Sequence, residues 1–364
     1  MLRVSWLVAF CLSLILGFTT ASCSRSPISQ TQQTAQASPV SLRHLADQRD
    51  FAIGVAVNAT PLRKDPLYRD LLAREFNALI PENSMKFQNI HPERDRYDFT
   101  DSDAIVTFAR KHGMKVIAHA PIWFHQLPRW VTESHFSREE LLAIMKDHIQ
   151  TILSHYRGQV LAWDVVNEPL NSDGSLRESI WFKTIGPEYI DLAFQWAKEA
   201  DPDALLYIND YAEGLNSKSD GMYDLVKGML ERGIPVDGVG FQSHIGFLSA
   251  NDPEEVNKNM KRLQELGLEV LITEMDVPIT ALKGADREEK LAEQARLYGA
   301  FLDVCLENSN CNNFLMWGLT DAHSWLQGFT GGKAPMIFDR SYQPKPAYDR
   351  MVEVFEKSLD SEGK

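Results

Sequence analysis

The chain has 364 residues, of which 44% are hydrophobic and 24% are charged, and its formal net charge at pH 7 is −13. This apolar fraction is typical of a globular protein with a sizeable core, and the length allows two average domains or one large barrel. The negative charge argues against nucleic acid or an anionic membrane surface as the main partner, because both attract basic surfaces. A neutral substrate fits these properties.

Residues 1–23 have the pattern of an export signal. Arg3 supplies a positive start, residues 4–18 form an apolar run too short to span a membrane comfortably, and small residues follow. The segment ends in Thr20-Ala21-Ser22-Cys23, a partial match to a bacterial lipobox, whose cysteine becomes the lipidated first residue of the mature protein. Ordinary cleavage after Ala21 is the alternative. Both predict an exported bacterial protein, which is secreted, periplasmic or attached to the cell envelope through lipid on Cys23.

Residues 24–41 are rich in Ser, Gln, Thr and Ala and contain almost no large apolar side chain. Such a segment cannot bury enough surface to order itself, so it predicts a disordered tether. No composition break or Pro/Gly-rich linker divides the rest of the chain. We therefore predict a single folded domain over residues 42–360.

Short apolar runs alternate with longer amphipathic ones throughout this domain. The predicted strands are 51–57, 78–82, 115–123, 162–167, 205–210, 238–244, 269–277 and 313–320. The predicted helices are 67–76, 102–112, 138–156, 187–199, 218–232, 253–266, 287–308 and 346–358. Regular alternation of this kind predicts an α/β fold, the (β/α)8 or TIM barrel. A doubly wound open sheet is the alternative, but no predicted strand is followed by a Gly-rich phosphate loop.

Active sites of such barrels lie at the carboxyl ends of the strands. The fourth predicted strand runs from an apolar stretch directly into Asn167, Glu168 and Pro169. Six predicted strands end in polar or aromatic residues, which are Glu82, Asn83 and Lys86; His119, Trp123, His125 and Gln126; Asn167 and Glu168; Gln242 and His244; Glu274 and Asp276; and Trp317 with Trp325 just beyond. Each alone could be structural, but buried charges need partners, so their joint placement indicates a site.

Two facing carboxylates can hydrolyse an acetal, and Glu168 and Glu274 are the candidates. A narrow barrel favours the separation of roughly 5–5.5 Å that is typical of retaining enzymes. We expect Glu274 to be the ionised nucleophile, its pKa lowered by hydrogen bonds from His244 and Gln242. Its charge would favour the protonated form of Glu168 until a glycosyl-enzyme forms, after which Glu168 can serve as a base.

On these residues the chain resembles the family 10 glycoside hydrolases, mostly endo-1,4-β-xylanases, over about residues 45–358. The matching motifs, which follow the family's order, are Glu82-Asn83-x-x-Lys86, His119 with Trp123 and Gln126, Trp163 to Pro169, Tyr207 to Tyr211, Gln242-x-His244, Thr273-Glu274-x-Asp276, Trp317 to Trp325, and Lys345 to Tyr348. The resemblance implies a (β/α)8 barrel that hydrolyses xylan with retention of anomeric configuration.

The resemblance also implies roles for single residues. Glu168 would be the acid/base, Glu274 the nucleophile, and Asn167 the contact to the 2-hydroxyl of the attacked sugar. The other implied substrate-binding residues are Glu82, Asn83, Lys86 and Gln126 on the glycone side, His119 and Trp123 at the attacked sugar, Trp317 and Trp325 as flat faces for sugar rings, and Tyr211, Gln242 and His244, with Asp276 in support. We expect a monomer that uses no metal and no cofactor.

Cys305 lies near the end of the predicted helix 287–308, and Cys311 lies just before the last predicted strand. In an oxidising compartment a disulfide could close this turn, and two free thiols are the alternative. Many members of the family carry a disulfide at this place.

The chain departs from the family pattern at three positions. Phe124 replaces a His, Ala212 an Asn and Leu326 an Arg. We expect all three near the sugar site, where they could change the preference for substrate decoration or for the β-linked glycan.

Other function classes account for the sequence less well. A metal-dependent barrel hydrolase would need a His-x-His on its first strand, which has no His, and a Schiff-base aldolase would need a barrel Lys, for which Lys86 is the only candidate. A non-catalytic carbohydrate-binding protein on this scaffold would be expected to have lost Glu168 or Glu274.

Overall fold

The computed structural model describes residues 40–211, 213–246, 252–328 and 333–362. The predicted export signal with Cys23, most of the predicted tether, and Ala212 lie outside the described residues. Val40 packs against the core, and the side chain of Ser41 caps the first helix by accepting the N–H of His44. These two residues, which we expected in the tether, thus contact the folded domain.

Eight parallel strands close into a barrel in which each strand pairs with the next and the last pairs with the first. Their bounds are β1 Ala52–Val57, β2 Ala78–Pro81, β3 Lys115–Ile122, β4 Ala162–Asn167, β5 Leu205–Asp210, β6 Gly238–Phe241, β7 Glu269–Met275 and β8 Cys311–Met316. The predicted (β/α)8 barrel is confirmed, and the open sheet is wrong.

Helices connect successive strands. They are α1 Leu42–Asp47, α2 Ala59–Lys64, α3 Pro66–Glu75, α4 Phe87–Ile90, α5 Thr100–Lys111, α6 Arg129–Thr132, α7 Arg138–Tyr156, α8 Ile180–Ile185, α9 Tyr189–Ala200, α10 Ser217–Glu231, α11 Pro253–Gln264, α12 Arg287–Glu307 and α13 Pro346–Glu362. All eight predicted helices are present. Those that we did not predict have four to six residues, too few to display a helical period.

The core has two layers. One lies between the barrel and its helices, and the other fills the barrel with small or flat side chains such as Ala52, Ala78 and Tyr207. Because side chains fill the barrel, a substrate can reach only its rim.

Five strands, β2, β3, β6, β7 and β8, end before the predicted bound, and the two largest differences, in β6 and β8, concern the rim. Strand β6 ends at Phe241 because Ser243 takes a left-handed backbone with φ 59°, and His244 rejoins the sheet only through a bridge to Asp276. Strand β8 ends at Met316, so Trp317 follows the strand. Gln242, His244 and Trp317 therefore project from loops that leave the strands.

Cys305 and Cys311 form a disulfide with their Cα atoms 5.2 Å apart, which joins the end of α12 to the start of β8. The predicted disulfide is confirmed. In the part of the chain that the structure describes, no helix combines the length and apolarity that crossing a membrane requires.

Candidate active site

A cleft of about 600 Å³ opens at the carboxyl ends of the strands. It gathers thirteen of the predicted site residues, which are Glu82, Asn83, Lys86, His119, Trp123, Gln126, Asn167, Glu168, Tyr211, His244, Glu274, Trp317 and Trp325. Gln242 and Asp276 are almost wholly buried and contact residues of the cleft. The sequence motifs thus converge on one side of the barrel, as strand-end placement predicts.

Glu274 is the last but one residue of β7 and is buried, with 4% of its surface exposed. Asn209 donates a hydrogen bond of 2.6 Å from Nδ2 to its Oε1, and Nε2 of His244 lies 3.2 Å from its Oε2. Burial alone would raise the pKa of Glu274. The hydrogen bond from His244 and the electrostatic influence of His119 and Lys86 outweigh burial and lower this pKa. Glu274 is therefore ionised in its buried position.

The expected hydrogen bond from Gln242 to Glu274 is wrong. Gln242 donates from Nε2 to Oε1 of Glu168 at 3.0 Å and to Oδ1 of Asn167 at 3.2 Å. Because the backbone turns at the left-handed Ser243, the side chains of Gln242 and His244 point in different directions and contact different carboxyl groups. Gln242 belongs to the Glu168 side of the cleft and His244 to the Glu274 side.

Asn209 is a site residue to which the sequence analysis gave no role. Its Oδ1 accepts the hydroxyl of Thr273 at 2.8 Å, and its Nδ2 contacts both Glu274 and Oδ1 of Asn167, the latter at 2.9 Å. A carboxylate only accepts, so Glu274 fixes the orientation of the Asn209 amide. The Asn167 atom that faces Nδ2 must then be its oxygen, which leaves the Asn167 amide nitrogen on the side of Trp123, 3.3 Å from the indole nitrogen.

A glycine in the neighbouring strand leaves room for the side chain of Asn209. A Cβ atom on Gly240 would lie 2.2 Å from Oδ1 of Asn209, closer than any real contact. Gly240 in β6 therefore leaves room for the residue that orients Glu274.

Glu168 follows β4 and is half-buried in the cleft wall. Its φ of 52° is left-handed, a conformation that non-glycine residues rarely adopt. The N–H of Glu168 donates to the carbonyl of Asn209 at 2.8 Å, and its own carbonyl accepts from Nε of Arg177 at 3.0 Å. Gln242 fixes one oxygen of its carboxyl group, as described above.

His244 lies between two acidic groups and carries a positive charge. Its Nε2 faces Glu274, and its Nδ1 lies 3.1 Å from Oδ2 of Asp276. Burial alone would lower the pKa of His244, but Asp276 and Glu274 raise it to about 10. Asp276 also accepts the indole N–H of Trp325 at 2.7 Å. Asp276 thus supports both the charge of His244 and the position of Trp325.

His119 is oriented by a buried acid that the sequence analysis did not single out. Its Nδ1 lies 2.8 Å from Oδ2 of Asp164, which is wholly buried in β4. Burial raises the pKa of Asp164, and His119 offsets part of this effect. The ring of His119 also meets Trp317 edge to face, with 5.2 Å between centroids. These contacts hold the imidazole on the wall of the cleft.

One end of the cleft is a polar network around Asn83. Oδ1 of Asn83 accepts from Nζ of Lys86 and from Nε2 of Gln126, each at 3.1 Å. Nζ of Lys86 also lies over the rings of Trp123, at 4.8 Å, and Trp317, at 5.4 Å. Burial lowers the pKa of Lys86, which the surrounding glutamates oppose.

Glu82, at the end of β2, belongs to the same end of the cleft. Burial raises its pKa, while Asn58, which donates to it at 3.2 Å, and Lys86 act in the opposite direction. Asn58 follows β1 and was not among the predicted site residues. This part of the cleft offers several donors and acceptors at fixed positions, which suits the hydroxyls of a sugar.

The other side of Glu168 carries Arg177 and Tyr211, joined by a hydrogen bond of 3.2 Å. The guanidinium of Arg177 lies 4.1 Å from the ring centroid of Phe124, one of the three departures from the family pattern. Phe124 lines the cleft as expected. Leu326 follows Trp325 of the cleft, but only 1% of its surface is exposed, so its side chain offers almost no surface to a substrate. Ala212 lies outside the described residues.

The residues that the sequence analysis missed differ in how well their sequence context could have identified them. Asn209 is the last but one residue of β5, as Glu274 is of β7, so the strand-end rule could have found it. Asp164 lies in the interior of an apolar strand. Arg177 lies in a loop nine residues after Glu168, without periodicity to mark it.

The chemistry available in this cleft is that of carboxyl groups and hydrogen bonds. Among residues 40–211, 213–246, 252–328 and 333–362, no cluster of three or more His, Cys, Asp or Glu side chains is arranged to hold a metal ion. Three carboxyl groups line the cleft, and two of them, the buried ionised Glu274 and the more accessible Glu168, form the kind of pair that hydrolyses acetals.

Known proteins share both the sequence and the fold. The sequence model of glycosyl hydrolase family 10 matches residues 41–354. The endo-1,4-beta-xylanase B of Thermotoga neapolitana is 45% identical over 324 residues, which cover 88% of this chain and 93% of that protein.

Two solved structures give the same result. Native xylanase 10B of Thermotoga maritima superposes with a TM-score of 0.84 and 44% identity, covering 88% of this chain and 100% of that one. Xylanase 10B of Thermotoga petrophila in complex with xylobiose has a TM-score of 0.84 and 45% identity, covering 89% and 99%. The suspected resemblance is confirmed, and the chain belongs to glycosyl hydrolase family 10.

Proposed function

We propose that this protein is a retaining endo-1,4-β-xylanase that cleaves xylan by double displacement. The observation that carries the proposal is the environment of Glu274, a buried carboxylate kept ionised by a charged His244 and oriented by Asn209. Membership of a family whose similar members are named endo-1,4-beta-xylanases supports the substrate class.

In the first step, Glu274 attacks the anomeric carbon while Glu168 gives its proton to the departing glycosidic oxygen. The bond between that oxygen and the anomeric carbon breaks, and a covalent glycosyl-enzyme forms. Asn167 is suited to hold the 2-hydroxyl of the attacked sugar, because the orientation argued above leaves its amide nitrogen available as a donor. Such a contact strengthens in the transition state.

In the second step, Glu168 takes a proton from water, and the water oxygen attacks the anomeric carbon. The bond to Glu274 breaks and restores its carboxylate. Two inversions leave the sugar with its original configuration. Having given its proton to the leaving group in the first step, Glu168 is free to accept one from water in the second, so the same group acts first as acid and then as base.

The walls of the cleft fit a xylan chain. Trp317 and Trp325 provide flat apolar faces for pyranose rings, and the network of Glu82, Asn83 and Lys86 provides polar partners for hydroxyls. A relative from Thermotoga petrophila was crystallised with xylobiose, which supports a similar ligand for this chain.

An assay of reducing-end release from xylan and from β-glucan tests this function, with NMR of the first anomer formed. We expect the wild type to release reducing ends from xylan, with the β anomer formed first. Glu274→Ala should abolish this release. Release only from β-glucan would favour a retaining glycanase of other specificity. Release from neither substrate would favour a non-catalytic carbohydrate-binding protein on this scaffold.

We also propose that the protein is exported and acts as a monomer, attached to the cell envelope if Cys23 is lipidated. The composition of residues 1–23 and the disulfide of Cys305 and Cys311 support export. Mass spectrometry of the mature amino terminus, with light scattering of the purified protein, tests both points. An unprocessed Met1 in the native host would contradict export, and a stable dimer would contradict the monomer.

A further inference from the structure

The backbone that carries Glu168 needs support from outside the strand. Its left-handed φ of 52° is unfavourable for a residue with a side chain and persists only where neighbours fix it. The residue lies at the abrupt end of β4, followed by Pro169, which has no N–H to donate. The orientation of the Glu168 carboxyl group therefore depends on what holds the carbonyls of this turn, in addition to the hydrogen bond from Gln242.

Arg177 holds them. Its Nε donates to the carbonyl of Glu168 at 3.0 Å, and its Nη2 donates to the carbonyl of Leu170 at 2.8 Å. The two carbonyls lie on either side of Pro169. A planar guanidinium can bind both at fixed positions, which a single ammonium group cannot do.

Arg177 is itself held from two directions. Its guanidinium lies over Phe124 of the loop after β3 at 4.1 Å, and its Nη2 contacts the hydroxyl of Tyr211 after β5 at 3.2 Å. The N–H of Leu170 is bound by Asp210 at 3.3 Å. The turn after Glu168 is thus connected to the strands on both sides of β4.

We propose that Arg177 is a positioning residue that aligns the Glu168 carboxyl group with the glycosidic oxygen. The inference rests on the proposed function, in which Glu168 is the acid/base. Proton transfer requires the carboxyl group within hydrogen-bond reach of the leaving oxygen, and small displacements cost large factors in rate. Arg177 contributes nothing to the attack by Glu274, so its loss affects only the steps that use Glu168.

The test compares two substrates in Arg177→Met and Arg177→Lys. Xylopentaose has a leaving group that must be protonated, whereas 2,4-dinitrophenyl β-xylobioside has one that leaves unaided. We expect kcat/KM in Arg177→Met to fall roughly tenfold to a hundredfold on xylopentaose and less than about threefold on the aryl glycoside. Arg177→Lys should retain part of the activity. Azide should raise kcat of the methionine variant on the aryl glycoside, because an anion needs no general base.

Arg129→Met is the matched control, because Arg129 is a surface residue with 87% of its side chain exposed. Equal loss on both substrates, no loss on either, or a failure of azide to accelerate the reaction would overturn the positioning role. Assays are run well below the midpoint of thermal unfolding of each variant. If Arg177→Met does not fold, Phe124→Leu, which removes the ring beneath the guanidinium, must show the same selective loss at smaller size.

Glu168→Ala on the same two substrates separates this inference from the function on which it rests. A selective loss in Glu168→Ala without one in the Arg177 variants rejects only the positioning role. No selectivity in Glu168→Ala rejects the acid/base role of Glu168 itself.

Discussion

Nε2 of His244 lies 3.2 Å from Oε2 of Glu274, so the proposed nucleophile contacts a positively charged imidazole in a buried site. Asp276 on the opposite ring nitrogen stabilises that charge. The arrangement is a buried chain of alternating charges. It keeps Glu274 ionised in its buried position.

Replacing His244 by Gln is expected to shift the acidic limb of the pH profile of kcat/KM. The variant loses the charge that lowers the pKa of Glu274, so this pKa rises, and activity is lost at a higher pH than in the wild type. The measurement is kcat/KM on xylopentaose as a function of pH. His44→Gln, at an exposed position in α1, is the control. An unmoved acidic limb in His244→Gln would show that His244 does not set the ionisation of Glu274.

Asn209 should be important for catalysis although we propose no direct contact with substrate for it. Asn209→Ala removes the donor that orients Glu274, and misplacement of this nucleophile is expected to lower kcat/KM roughly tenfold to a hundredfold. Asn209→Asp has nearly the same shape but repels Glu274, so it should lose more activity than Asn209→Ala. Steady-state kinetics on xylopentaose show which of the two variants loses more activity. Greater activity in the Asp variant would contradict the assignment of Asn209.

The disulfide between Cys305 and Cys311 should stabilise the fold without affecting catalysis. It closes a short loop between α12 and the start of β8, at the amino end of that strand, whereas the cleft lies at the carboxyl ends of the strands. Chain-entropy arguments give about 2 kcal/mol for a loop of this length. The variant with both cysteines replaced by Ala should therefore unfold at lower denaturant concentration and keep its kcat. A large fall in kcat at a temperature where the variant is folded would be the contrary result.

A buried histidine pair should make the fold sensitive to acid. The Nδ1 atoms of His91 and His148 lie 3.1 Å apart, and Phe87 stacks on His148 with 3.6 Å between centroids. Burial lowers the pKa of both rings, and for His148 the charge of His91 lowers it further; a hydrogen bond to Arg94 partly offsets the effect in His91. Two protonated rings would face each other as donors.

The sign of this effect follows from proton uptake. The unfolded chain binds protons at these two histidines near their ordinary pKa of 6.5, while the folded chain does so only at lower pH. The free energy of unfolding should therefore decrease as pH falls below about 6.5. His148→Gln removes one titrating ring, so its free energy of unfolding should change less between about pH 7 and about pH 5 than that of the wild type. Denaturant titrations at both pH values measure the free energy of unfolding of the variant and the wild type. An equal change with pH in the two proteins would contradict the prediction.

The sequence predicted the barrel well because its strands and long helices repeat a pattern that local physics dictates. Strands buried on both faces appear as apolar runs, and helices of ten residues or more display their period. Short helices such as α4 and α8 lack this signal. The strand-end rule then identified both carboxyl groups, because a polar residue at the end of an apolar run has few structural explanations.

The partners of those carboxyl groups were harder to predict. Gln242 was expected to donate a hydrogen bond to Glu274, but Asn209 does so. The difference depends on the left-handed backbone of Ser243, which no sequence pattern predicted. Arg177 reaches Glu168 from a loop, and its hydrogen bonds go to carbonyls, which are the same for every residue type. A hydrogen bond to a backbone carbonyl does not require a particular residue type at the acceptor, so the sequence does not reveal it.

Covalent trapping of the nucleophile tests the central claim most directly. The enzyme is incubated with 2,4-dinitrophenyl 2-deoxy-2-fluoro-β-xylobioside, whose fluorine slows hydrolysis of the glycosyl-enzyme, and is then digested for peptide mass spectrometry. We predict a single labelled carboxylate, Glu274. A label on Glu168 or Glu82, or an active enzyme that accumulates no label, would contradict the account.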